Sequence, residues 1–249
     1  MVLLTFVDLD PELAALRALG GFFVLRTGLP PRGPLPTLAQ AYAPPPPQAS
    51  PGVYRDPLTF RVRKVARGLR APESRVAASI AHQGLAARIW SVALGCAVLY
   101  GQLPDLGPRV LHWDPDAAAP DDLWLSEVRP GPSDPLESSL DAVVREGHLI
   151  PLTTALASRQ RVSERLLWGN AGSALAATVR MVERWASAGG RPDAAERAGA
   201  LAAGLFARPG LSGTLDPATG RRRSCCLYYR LPGGGLCGDC CFDHPPNRK

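Results

Sequence analysis

Apolar positions recur with helical spacing over much of the chain. Between residues 57 and 101, Leu85, Ile89, Val92, Cys96 and Leu99 alternate at spacings of four and three, which places them on one helix face. Leu167, Ala171, Leu175, Val179 and Val182 make a second stripe inside a predicted helix running from about Ser163 to Ala188. Pro192 to Ala207 reads as an Ala-rich helix closed by Pro209-Gly210, and Pro11 to Leu19 as a short one ended by Gly20-Gly21. Asp134-Pro135-Leu136-Glu137 has the order of an N-cap, a proline at the first position and an acid at the third. It predicts a helix that stops near Gly147, with two more helical candidates from His148 onward. Phe22 to Thr27, Arg109 to Trp113 and Leu123 to Val128 carry strand patterns, and the last two predict a hairpin around the acidic segment 114–122. The expected fold class is α+β, predominantly α-helical, with a small antiparallel sheet and a C-terminal cysteine-rich motif.

Prolines accumulate from Leu29 to Gly52, including Pro44 to Pro47, and give an extended, semi-rigid stretch. The expected organisation is an N-terminal segment and connector at 1–52, a mainly helical domain at 53–220 and a cysteine motif at 221–249. A hydrophobic content of 46% with 20% charged residues reads as globular. The formal charge of +6 suits anionic partners, but no nucleic-acid module is present, so nucleic acid is not an expected partner. Met1 to Val7 is apolar but lacks a basic flank and runs straight into Asp8 and Asp10, against a signal peptide. The apolar run from Ile89 to Gly101 is too short to span a bilayer, so no transmembrane segment and a cytoplasmic setting are expected.

The chemistry is concentrated at the C-terminus. Five of the six cysteines fall within 17 positions, as Cys225-Cys226, ten residues, Cys237-Gly238-Asp239-Cys240, then Cys241. Cys96 lies alone in the first apolar stripe and reads as a core residue. His82, a lone histidine on the same segment, reads as structural or exposed. Thiols clustered in this way bind metal or form disulfides. Leu227 to Leu231 has strand propensity and Pro232 to Gly235 a turn, which predicts a hairpin-like excursion that brings the two cysteine pairs together. In a regular strand Cys225 and Cys226 would face opposite sides, so shared ligation requires a bend there. Arg221, Arg222 and Arg223 lie just upstream and favour thiolates. A four-cysteine zinc site and a disulfide framework are the competing readings; adjacent cysteines are unusual for structural zinc, and disulfide scaffolds belong to small secreted domains.

The Cys-Cys-x10-Cys-x2-Cys arrangement resembles the FhuF-like ferric-siderophore reductases, which carry a [2Fe–2S] cluster on that spacing. Arg222 to Arg230, Pro232 to Cys240 and the upstream segment Leu167 to Leu175 are similar to actinobacterial members, and the resemblance extends over residues 53–243. It implies that Cys225, Cys226, Cys237 and Cys240 are the ligands, and it leaves Cys241 outside the pattern. It also implies one-electron reduction of an Fe(III)-siderophore, hydroxamate or related, with release of Fe(II). An all-cysteine plant-type centre works near about −400 mV. No GxGxxG fingerprint for a nicotinamide or flavin is present, so electrons are expected from a separate ferredoxin or flavin reductase. Arg221, Arg222, Arg223 and Arg230 are candidates for guiding an anionic chelate, and equally read as a solvated basic run. Trp168 and Asn170 are candidates for a substrate wall, or else mark a tight helix contact through Gly169. An electron carrier or redox sensor with the same cluster, and a zinc-stabilised siderophore-binding protein, remain alternatives.

Overall fold

The computed structural model describes residues 13–31, 33–45 and 55–246. The expected helix start at Pro11 and the end of the proline tract lie outside those residues. The organising element is α3 (Ser74–Tyr100), a 27-residue helix buried on nearly every side. It packs along α6 (Glu164–Ala188) and against α2 (Pro57–Leu69), and α7 (Pro192–Phe206) packs along α6. The predicted face of Leu85, Ile89, Val92 and Cys96 is buried, but Trp90, Leu94 and Val98 on other faces are buried too. By length and composition α3 could cross a bilayer, being longer than its uninterrupted apolar run. Here 78% of its most apolar window is covered by protein, so core packing accounts for its apolarity. Full burial of each large aliphatic side chain contributes about 1.5–3 kcal/mol. Gly95 lets the N-terminal segment close on the helix, since a Cβ there would lie 2.9 Å from Leu16 and Phe23 side chains.

Pro-Leu-Thr at the start of α2 is capped by Asp56, whose carboxylate accepts from the Thr59 N–H at 3.1 Å. The short α1 (Leu38–Tyr42) starts with a reciprocal capping box between Thr37 and Gln40. The expected first helix is a 3₁₀ turn, Ala14–Leu19, closed at Gly20.

The sheet is small, as expected, but mixed. Strand β2 (Leu111–Trp113) pairs antiparallel with β3 (Leu123–Leu125), which is the predicted hairpin. Strand β1 (Arg26–Thr27) joins β3 in parallel, giving the order β1-β3-β2. Parallel pairing is available because the chain crosses through α1, α2 and α3 before it reaches the sheet again. Arg88, 2% exposed, fixes that crossing: Nε donates to Asp122 at 2.7 Å and Nη2 to the Val24 carbonyl at 2.8 Å.

The helix expected to stop near Gly147 does not stop there. Helix α4 (Leu136–Leu140) begins after Pro135, with no side-chain cap from Asp134. It runs through a π-helical segment, Asp141–Leu149, into α5 (Ile150–Gln160). Pro151 has no N–H to give to the preceding turn, and the widened turns absorb that break. His148 holds the widened segment against the core, with Nε2 2.7 Å from the Leu106 carbonyl and Nδ1 2.9 Å from the Tyr42 hydroxyl.

Candidate metal centre

One face of α6 is cut down to receive the C-terminal chain. A Cβ at Gly169 would lie 2.0 Å from Ser224 Oγ, and one at Gly172 would lie 2.3 Å from Thr214 Oγ1. At Gly210 (φ +84°) the backbone lies directly over the Trp168 ring, where a Cβ would come within 2.8 Å. Trp168 and Gly169 thus make a close contact between α6 and the segment that leads into the cysteines. Asn170, next on the helix, is fully buried. Its Nδ2 donates to the Ser79 carbonyl and Oγ at 2.9 Å each, while Oδ1 accepts from Arg222 Nη1 at 2.8 Å. Ser79 Oγ in turn donates to the Cys226 carbonyl at 2.7 Å. A buried polar relay therefore ties α3 and α6 to the cysteine loop at both Arg222 and Cys226.

The loop itself is not the expected hairpin strand. Leu227 takes left-handed dihedrals (φ 67°) and Tyr228–Arg230 is a single 3₁₀ turn. This is the bend that adjacent Cys225 and Cys226 require. The Leu227 N–H donates to Cys225 Sγ at 3.3 Å. Gly233 is also left-handed, and a Cβ at Gly234 would meet the Tyr228 carbonyl oxygen at 2.3 Å, so the return of the chain is tight. The far side is fastened by the arginines. Arg222 N–H donates to the Asp239 carbonyl at 2.9 Å, its Nε lies 3.1 Å from Asp239 Oδ1, and Arg221 Nε donates to the Cys240 carbonyl at 2.6 Å.

Cys226 and Cys240 are buried, and Cys225, Cys237 and Cys241 are half-buried. The Cys226 thiol is held below the ordinary cysteine range by a hydrogen bond from Cys237, with the Tyr228 N–H and the Arg222 charge adding to it against burial. Cys237 is pushed the other way, first by that shared hydrogen bond and then by burial; its Sγ also lies 3.5 Å from Asp239 Oδ1. Burial pushes Cys225 up to about 11, and Cys241, raised mainly by burial as well, hydrogen-bonds to Cys225. The thiols thus associate in twos. Among the described residues no three His, Cys, Asp or Glu side chains converge on one point.

The donor set fits a two-iron cluster. Such a cluster takes four thiolates, and the loop offers five thiols beside a buried guanidinium that favours negative charge on sulfur. Arg222 Nη2 and Asp239 Oδ2 are buried with no hydrogen-bond partner among the described residues, at a spot where an unmet polar group costs about 1–3 kcal/mol.

The other candidates are distributed around this centre. Arg221 pairs with Asp243 at 2.5 Å, Arg223 lies exposed 3.6 Å from Asp216, and Arg230 pairs with Glu73 at 2.5 Å and stacks over Tyr229. Arg222 and Asn170 are bonded to each other inside the protein. Cys96 is in the core; His82 is buried beside Thr153, and burial drives its pKa down to about 3. Ser79 escaped sequence reasoning, because a serine in an Ala-rich helix carries no mark. The paired glycines at 169 and 172, one helical turn apart, were the available signal for a docking face.

Residues 222–242 match the family model of the FhuF 2Fe-2S C-terminal domain. The match takes in all five clustered cysteines together with Arg222, Arg223 and Arg230, and a [2Fe–2S] cluster at this end of the chain is consistent with it. No curated protein matches the chain.

Proposed function

We propose that the protein is a ferric-siderophore reductase acting in the cytoplasm. The observation that carries this reading is the bent five-thiol loop, docked on α3 and α6, within the segment matched to the 2Fe-2S domain. Cys225, Cys226, Cys237 and Cys240 would hold the cluster. When bound, a [2Fe–2S] cluster supplies single electrons at low potential. An external ferredoxin or flavin reductase gives up one electron, and one Fe(III) in a hydroxamate or related chelate becomes Fe(II). No bond to carbon or proton need change. Fe(II) is held less tightly than Fe(III) by hard oxygen donors, so reduction serves as release.

The chain's own residues provide access and docking. Tyr228 and Leu236 are exposed apolar side chains on the loop, able to lie against the body of a chelate. Arg221, Arg223 and Arg230 sit at its rim, where their charge attracts anionic ligands or an acidic electron donor. Arg222 and Asn170 hold the loop from behind, and Trp168 supports the approach segment.

The test is anaerobic. Protein reduced with dithionite and freed of excess reductant is mixed with a ferric trihydroxamate in the presence of a colorimetric Fe(II) chelator. About one Fe(II) trapped per cluster is expected from the one-electron step. Full reoxidation by an artificial acceptor, but no Fe(II) from any ferric siderophore, would instead assign an electron carrier.

A further inference from the structure

We propose that Arg222, together with its ion-pair partner Asp239, is the residue pair that sets the reduction potential of the cluster, acting as a positioning and charge-balancing element and not as a substrate contact. The inference rests on the cluster-binding assignment and does not depend on the identity of the substrate. Arg222 has a fully buried side chain, and three of its groups are committed: the backbone N–H and Nε to Asp239, and Nη1 to Asn170. Nη2 is buried without a partner among the described residues, as is Asp239 Oδ2. Asp239 lies between two of the thiols, and its Oδ1 also faces Cys237 Sγ at 3.5 Å.

A guanidinium in this position cannot reach bulk water, so its field is weakly screened and acts on the nearest anionic groups. The nearest of these is Asp239, whose Oδ1 lies 3.1 Å from Arg222 Nε and 3.5 Å from Cys237 Sγ, so the ion pair sits directly against the thiol loop. Adding an electron makes the centre more negative. A buried positive charge therefore favours the reduced form, and a buried carboxylate opposes it. Hydrogen bonding and burial are the recognised levers on such potentials. The exposed arginines, by contrast, are paired at the rim and screened.

The experiment is potentiometric titration of the loaded protein followed by visible absorption, with iron and sulfide content measured on each sample. Arg222→Gln is expected to move the midpoint negative and Asp239→Asn to move it positive. Each shift should reach about tenfold in the electron-transfer equilibrium, which is about 59 mV for one electron. Variants that carry the full cluster and titrate as the wild type does would overturn the proposal. If Arg222→Gln does not load, Asp239→Asn decides alone: a positive shift supports the proposal and none refutes it. Failure of both to load would make the pair an assembly element and overturn its potential-setting role. A wild-type protein without iron and sulfide would count against the cofactor itself, which is a separate result.

Discussion

Helix α3 and the loop from Arg222 to Phe242 meet at Ser79, and different forces order them. Along α3, Leu85, Ile89, Trp90, Leu94 and Val98 are buried against neighbours on several sides, and non-directional apolar burial holds them. The loop has one 3₁₀ turn and little apolar interior of its own; Cys226, Leu231 and Cys240 are its buried apolar side chains. Its shape rests on hydrogen bonds to Asn170, Ser79 and Asp239 and on two glycine-dependent close approaches, at Gly169 and Gly234. Packing tolerates local change by relaxation, whereas a few directional contacts do not. A reactive centre placed on such a loop gains a defined geometry from the rigid bundle beneath it without being enclosed by it.

Substitutions should separate the two regions. Leu167→Ala removes a fully buried side chain on α6 and is expected to cost about 2–5 kcal/mol of global stability. Thermal unfolding followed by the helical circular dichroism signal reads this, and iron content at low temperature should stay unchanged. Loss of iron without loss of melting temperature would erase the distinction.

Acid should attack the bundle next. His82 and His148 are buried, and burial drives their pKa values down to about 3 and about 4. Unfolded histidine takes up its proton near 6.5, so the unfolded chain binds more protons between those values. The stability they support is complete above about pH 6.5 and falls as the pH drops towards 4, by a few kcal/mol in order of magnitude. Denaturant midpoints measured from pH 7 to pH 5 should decline; a flat profile would contradict the buried, neutral assignment.

The smallest effect is the most local. Gly234→Ala pushes a methyl against the Tyr228 carbonyl and should cost about 1–3 kcal/mol within the loop. Its signature is faster iron loss to a chelator with the bundle's melting temperature nearly unaltered. Equal retention of iron would mean that the loop is less tightly closed than described.

The same contrast explains what the sequence made legible. The spacing of Leu167, Ala171 and Leu175 anticipates α6 closely because apolar periodicity reports burial directly. The hairpin of β2 and β3 was readable from its strand patterns; Phe22 to Thr27 also read as a strand, but its parallel pairing as β1 did not, since long-range pairing leaves no local trace. Gly147 misled because the helix runs on through the π-helical segment that His148 anchors to the core. Leu227 to Leu231 has strand propensity but no neighbouring strand among the described residues, and the left-handed Leu227 turns it into a 3₁₀ bend. The thiols were visible by their spacing. The relay from Arg222 through Asn170 and Ser79 to Cys226 was not, because it joins residues more than fifty positions apart.

The most direct measurement is the spectrum of the anaerobically prepared protein before and after dithionite, by visible absorption and EPR. Charge-transfer bands that bleach and a rhombic S = 1/2 signal that appears on reduction are expected, both lost in Cys225→Ser and Cys237→Ser while the helical signal is retained. A colourless protein that keeps zinc after careful anaerobic reconstitution would contradict the cluster assignment.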